Sequence, residues 1–383
     1  MKPLVSGIQQ IGVGVPDVDR AFAWARRALG ADLPLFDDAA PAPLMTRYTG
    51  GEVHRRRALL AANLRGGGGL ELWRFESRAP ARLRPVRLDE RGLLLARVKA
   101  LDVRAFAAAL GPSVRVPPTR DAAGRLHAVA EDPFGNLYDV TEADDWFARR
   151  AGPRGTFTGG VAGAVLGVGD LERAVVFYRD LLGYRVARED TGPFPELAGL
   201  PGADRLRARV RMAHEPEGGA FAPLLGATTL DLVRADAPGR HVRDDRLWGD
   251  PGYMHLCFDV RGTDALKARF AAAGHPFTVD SAEGFDMGQA SGRFAYAEDP
   301  DGTLVELVEA YTLDVLPRLG LRLDLRDRAP AAPLPWWMLR ALGLGRVRDE
   351  PRAARASEDA ATERPRARAR AQRRTRPART PDR

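Results

Sequence analysis

The feature that most constrains this chain is a strand–helix–strand unit that recurs four times between about residues 7 and 310. The first copy, IQQIGVGVPDVDRAFAWARRALGADL, reads as a short β-rich run from Gln10 to Val15, a turn and a helix. Asp17 stands at the N-cap, where its carboxylate can accept from the free N–H groups of the first helical turn. Val18, Ala21, Phe22, Ala25 and Leu29 recur at helical spacing, and Gly30 supplies the stop. GAVLGVGDLERAVVFYRDLLGYRV repeats the plan, with Asp170 as cap and Gly183 as stop; Gly163 precedes Asp170 by seven residues, as Gln10 precedes Asp17. GLLLARVKALDVRAFAAALG leads to AEDPFGNLYDVTE, and GYMHLCFDVRGTDALKARFAAAG leads to AEDPDGTLVELVE. The spacing predicts four β-α-β-β-β units, at about 7–77, 90–142, 160–236 and 250–310, and an α+β fold. A repeat of this clarity constrains architecture more than any single residue does.

The net charge of +7 invites a nucleic-acid reading, but residues 351–383 hold eleven Arg and four acids and so account for all of it. That stretch, rich in Ala, Pro and Arg, has little to bury, and 349–383 is expected to be a disordered tail without a specific nucleic-acid role. No apolar run approaches the ~20 residues of a membrane span, and MKPLVSGIQQIG lacks the pattern of a signal peptide. The single cysteine, Cys257, excludes an internal disulfide and a cysteine-rich zinc site. A cytoplasmic protein is the expectation.

The strand–Asp–helix–Gly openings and the DPDGTLVELVE ending resemble the vicinal oxygen chelate (VOC) superfamily, which includes glyoxalase I, methylmalonyl-CoA epimerase, extradiol dioxygenases and bleomycin-resistance proteins. The resemblance spans about residues 7–310. It implies units paired into cup-shaped mixed sheets, each cup able to hold a divalent metal through one residue from the first strand and one from the last strand of each unit. The implied organisation is one VOC domain over 1–145, a linker over 146–159, a second VOC domain over 160–312, and a C-terminal extension over 313–348 packed on the body.

Reading the two ligand positions unit by unit gives Gln10 and Glu71, Leu93 and Asp139, Gly163 and Asp231, and His255 and Glu306. If sequence neighbours pair, neither half is complete. If the first unit pairs with the fourth, Gln10, Glu71, His255 and Glu306 share a cup, and the second and third units make a vacant one. That set resembles the ligands of zinc-type glyoxalases I. One imidazole, one amide and two carboxylates suit zinc, nickel, cobalt, manganese or iron(II). The resemblance implies a lyase, isomerase or epimerase that moves a proton next to a carbonyl in a chelated small molecule, with Glu306 as base and Glu71 as its symmetry partner. A metal-free binding or resistance protein is the alternative. An extradiol dioxygenase is a weaker one, because Gly163 stands where a second histidine is needed.

Several features invite lesser readings. Arg47, His54, Arg55, Arg56 and Arg57 form a basic cluster that either faces an anionic substrate or is a solvated strand face. RGGGG at 65–69 lacks the Lys-Ser/Thr of a phosphate loop and reads as a hairpin turn. Cys257 shares a strand face with His255 and reads as a small buried hydrophobe. His54, His127, His214, His241 and His275 have no counterpart across the repeats and are assigned surface or structural roles. Trp336, Trp337, Leu339 and Leu342 are expected to cover the body or a dimer contact, the chain being either a pseudo-dimeric monomer or a homodimer.

Overall fold

The computed structural model describes residues 3–282, 285–286, 290–316 and 321–347, so the expected tail over 349–383 lies outside the described residues. The first unit comprises β1 (Leu4–Gly14), α1 (Val18–Leu29), β2 (Leu33–Pro41), β3 (Arg55–Ala62) and β4 (Gly69–Phe75). The second comprises β5 (Gly92–Ala100), α2 (Val103–Leu110), β6 (Val114–Arg120), β7 (Leu126–Glu131) and β8 (Leu137–Glu142). The third comprises β9 (Thr158–Gly167), α3 (Leu171–Leu182), β10 (Arg185–Thr191), β11 (Leu206–His214), the short α4 (Ala222–Leu225) and β12 (Thr228–Ala235). The fourth comprises β13 (Gly252–Arg261), α5 (Thr263–Ala272), β14 (Val279–Asp280), β15 (Phe285–Asp286), β16 (Ala290–Glu298) and β17 (Leu304–Leu316), followed by β18 (Leu321–Asp324) and α6 (Trp336–Ala341). The caps stand where the sequence places them. Asp17 accepts from the Arg20 N–H and Asp170 from the Arg173 N–H, while Gly30 and Gly183 take the left-handed conformation that ends each helix.

The strands form two curled mixed sheets whose orders cut across the chain. One runs β14-β16-β17-β13-β1-β4-β3-β2, with β15 on β16 and β18 on β17; the other runs β10-β11-β12-β9-β5-β8-β7-β6. The first and fourth units are thus joined by antiparallel pairing of β1 with β13, and the second and third by β5 with β9. Neither 1–145 nor 160–312 makes a sheet of its own; each gives four or more strands to both.

Side chains alternate across each strand. One set, including Ile8, Ile11, Leu256 and Phe258 from the first seam and Ala96, Val98, Ala164 and Leu166 from the second, enters one continuous core with the buried faces of α1, α2, α3 and α5. The other set lines the concave faces, and there the polar residues of interest lie. The loop at 65–69 is a hairpin turn, as β3 and β4 pair antiparallel. Arg65 ties the segment 146–159 down, donating to the carbonyls of Arg149, Pro153 and Thr158 and to the Thr156 hydroxyl. In the C-terminal extension the anchor is Leu339, fully buried with Leu325 and Leu334 against Leu33, Leu64 and Leu224. Trp336 and Trp337 remain more than half exposed, because a helix of six residues has room for only one inward face.

This topology predicts the behaviour of split chains. Residues 1–156 and 157–383, expressed together as separate polypeptides, should copurify as a 1:1 complex. Each half alone carries an unpaired β1 or β13 edge and should aggregate or self-associate. Size-exclusion chromatography checks this, and two well-folded monomeric halves would contradict it.

Candidate metal centre in the first cup

The register of the β1–β13 seam sets the site. Gly12 lies opposite His255 on one side and opposite Glu71 of β4 on the other, while Cys257 pairs with Glu306 of β17. Four buried polar side chains consequently converge. Gln10 Nε2 donates to Glu71 Oε2 over 3.2 Å. His255 Nε2 lies 3.2 Å from that oxygen and 3.1 Å from Glu306 Oε2. The ligand atoms of Glu71, His255 and Glu306 all fall within 4.8 Å of one another, the one such group among the described residues. Gly12 makes this possible: a Cβ there would sit 2.3 Å from His255 Cε1, so only glycine leaves room for the ring.

Three of the converging atoms, Gln10 Oε1, His255 Nε2 and Glu306 Oε2, are buried without a hydrogen-bond partner among the described residues. His255 and Glu306 approach closely but are not aligned to share a proton. Buried polar atoms are nearly always satisfied, so three unpartnered ones converging on one point call for water, an ion or a ligand between them. The electrostatics agree. Burial disfavours the imidazolium of His255, but the charges of Glu306 and Glu71 outweigh it and raise its pKa. Burial, helped by the Glu71 charge, raises that of Glu306.

Aromatic residues enclose the cluster. Tyr296 pairs across strands with Glu306, and its hydroxyl is 3.4 Å from His255 Nδ1. Trp248 stacks over His255 at 6.4 Å between ring centroids and meets Trp73 edge-on at 4.1 Å. Cys257 is fully buried, and its thiol points to Gln9 Oε1 at 3.8 Å.

Among the described residues the second cup carries no such cluster. Asp139 and Asp231 occupy the last-strand positions, and the Arg97 guanidinium lies between them, with Nε 2.9 Å from Asp139 and Nη2 2.7 Å from Asp231. Arg211 completes the pairing of Asp231 and reaches Asp121, and His127 pairs with Asp139 at 2.8 Å. Phe194, Leu197 and Leu200 fill the remaining concavity. The register also corrects one position: Asp139 faces Arg97, so the counterpart of His255 in this unit is Leu95, two residues earlier on the strand, and not Leu93. Arg97 is the counterpart of Cys257.

The basic cluster of the first unit is spent on ion pairs. Arg55 meets Glu76, Arg56 meets Asp38, Arg57 meets Asp19 and Asp37, and Arg47 lies 3.8 Å from Glu298. It leaves no row of free cations for a substrate. Tyr296, Gly12 and Arg97 are the residues that reading the ligand positions alone passes over. Counting back across the DPDG turn, which sets Glu298 opposite Leu304, places Tyr296 opposite Glu306.

Residues 160–307 match the family model of the Glyoxalase/Bleomycin resistance protein/Dioxygenase superfamily. No curated protein sequence matches the chain. Among solved structures, a candidate dioxygenase of Bacillus subtilis is similar at 14% identity and TM-score 0.55, covering 80% of this chain and 86% of that one, which supports the fold. Glyoxalase I of Zea mays aligns at 16% identity and TM-score 0.49, over 79% of this chain and 92% of its own. Glyoxalase I of Leishmania major aligns at 23% identity and TM-score 0.27, over 39% of this chain and 84% of its own.

The second cup yields a stability prediction. Burial by itself would raise the pKa of Asp139 and Asp231, yet Arg97, with His127 or Arg211, holds both well below the usual carboxylate range. Their contribution is therefore fully present above pH ~4, the unfolded carboxylate value, and is lost as pH falls through the depressed folded values. Replacing Arg97→Met leaves two buried carboxylates short of a cation and should cost about 3–5 kcal/mol at pH 7 in urea denaturation. That deficit should shrink as pH is lowered, because the stranded carboxyls can then take up protons.

Proposed function

We propose that the first cup is the active site of a divalent-metal-dependent lyase or isomerase of the glyoxalase I type, which moves a proton next to a carbonyl, in keeping with the match of residues 160–307 to the Glyoxalase/Bleomycin resistance protein/Dioxygenase superfamily. The observation that carries this reading is the convergence of Gln10 Oε1, His255 Nε2 and Glu306 Oε2, buried and unpartnered, beside Glu71. One imidazole nitrogen, one amide oxygen and two carboxylates are a donor set for zinc, nickel, cobalt, manganese or iron(II), and Gln10, Glu71, His255 and Glu306 would hold the ion. When bound, it would supply Lewis acidity toward adjacent substrate oxygens and steady the negative charge that develops on them.

The chain's own residues supply the rest. Glu306 is the base: its buried carboxyl, with a raised pKa, favours taking the proton from carbon. Tyr296, opposite it on β16, orients that carboxylate and, through its hydroxyl, the His255 ring. Glu71, the counterpart of Glu306 in the first unit, would return the proton on the other face. Trp248 and Trp73 exclude water. A single histidine in the cluster disfavours the two-histidine iron centre of an extradiol dioxygenase.

Purified protein should hold about one divalent ion per chain by elemental analysis, and its absence would favour a metal-free binder instead. Affinity for the ion should rise with pH, because the proton that Glu71 and Glu306 stabilise on His255 must leave first. Glu306→Gln should bind the ion yet lose about 100-fold or more in kcat, the range for a general base; turnover at the parent rate would remove Glu306 from that role. Gly12→Ala should displace the His255 ring and lower metal affinity at least about 10-fold, the loss typical when a ligand is misoriented, while far-ultraviolet circular dichroism stays unchanged.

A further inference from the structure

We propose that the C-terminal extension is a docking surface for an anionic lipid bilayer, in which Trp336, Trp337 and Leu344 enter the headgroup region and arginines hold the headgroups. The inference is separate from the chemistry of the first cup. Leu339 fills the one inward face of α6. That helix runs on into a 3-10 turn at Leu342–Gly345, and Trp337 and Leu344, seven residues apart, fall on one side of the helical run, away from Leu339. Trp336, Trp337 and Leu344 are 53%, 57% and 75% exposed. Among the large apolar side chains left open in the described residues, the two tryptophans are the only aromatic ones. Apolar residues exposed singly are ordinary, whereas a group of them marks an interaction surface.

Charge selects the partner. The Arg340 guanidinium lies over the Trp336 ring, 4.6 Å from its centroid. Trp336 in turn leans on Phe147, with ring centroids 6.0 Å apart. The segment that carries Phe147 also carries Arg149, Arg150 and Arg154, all exposed. Of its two acids, Asp145 is taken by Lys99, which leaves Asp144 against three arginines. The sequence after the extension then has eight Arg and no acid between residues 364 and 379. Tryptophan, with an apolar body and a polar N–H, suits the membrane interface, and basic segments are drawn to anionic headgroups. A single weak anchor binds a bilayer reversibly, whereas an apolar anchor joined to a polybasic segment holds it firmly. A second copy of this chain fits less well. Two half-exposed tryptophans and a leucine offer roughly 400 Å², against about 800 Å² per partner in a stable interface. Two copies would also bring like charges together. Nucleic acid would engage the arginines but gives Leu344 nothing to bury against.

The test is co-sedimentation of the full chain with vesicles of phosphatidylcholine alone and of phosphatidylcholine carrying about one-third phosphatidylserine. At about 0.1 M salt the anionic vesicles should bind about 100-fold more tightly than the neutral ones, and the difference should shrink at about 1 M salt. Arg364→Gln, Arg366→Gln, Arg368→Gln and Arg370→Gln, made together, should weaken anionic binding about 100-fold or more. Trp336→Ser with Trp337→Ser should weaken it about 10-fold. Phospholipids with brominated acyl chains should quench the fluorescence of the unsubstituted chain, a readout that does not depend on how any variant folds. No preference for anionic vesicles, no quenching, binding unchanged by the tryptophan substitutions, or tighter binding to DNA than to vesicles would each overturn the inference. So would a dimer that dissociates in the tryptophan variant while neither protein binds vesicles.

Discussion

Antiparallel pairing of β1 with β13 brings residue 10 beside residue 257, and the rest of the first cup follows from it. Gln10 and Glu71 belong to one end of the chain, His255 and Glu306 to the other, and the two pairs would not meet if sequential units shared a sheet. Period-two alternation then does two jobs. Ile11, Leu256 and Phe258 enter the common core, and their neighbours Gln10, His255 and Cys257 are turned into the concavity. A slip of one residue would exchange the two sets, so burial of the core enforces the register of the site.

The two cups show how one scaffold can spend the same positions differently. In the first, carboxylates converge with a histidine and leave unpartnered atoms. In the second, a guanidinium occupies the space between two aspartates and satisfies them, with Arg211 and His127 completing the network. Shortening Glu to Asp fits the change, since a bulky planar cation needs more room than a compact ion. The second cup is thereby a structural element, filled by salt bridges and by Phe194, Leu197 and Leu200.

Much of this was legible in the sequence because it rests on local rules. The Asp caps, the Gly stops and the DPxG turns announce four units, and the turn residues fix where each last strand begins. The choice between crossed and sequential pairing was not local; it was inferred only from which combination of ligand positions was complete. The repeat points to Leu93 where the fold has Leu95, because strand periodicity alone does not set an absolute register. Arg97 carries no signal in the sequence for a related reason: its significance depends on two carboxylates that come from other strands, one of them more than a hundred residues away. The basic cluster at Arg55–Arg57 misleads in the opposite sense, since Asp19, Asp37 and Asp38, which neutralise it, are brought close only by the fold.

The seam between first and last units also orders events in time. During synthesis β1 emerges well before its partner, and some 240 residues must follow before β13 can pair with it. The contact is among the most non-local a chain of this length can make, and closing so large a loop is slow compared with forming the helices. Until then β1 presents an open edge to any competing strand. The ligand cluster therefore cannot exist until that long-range contact has closed.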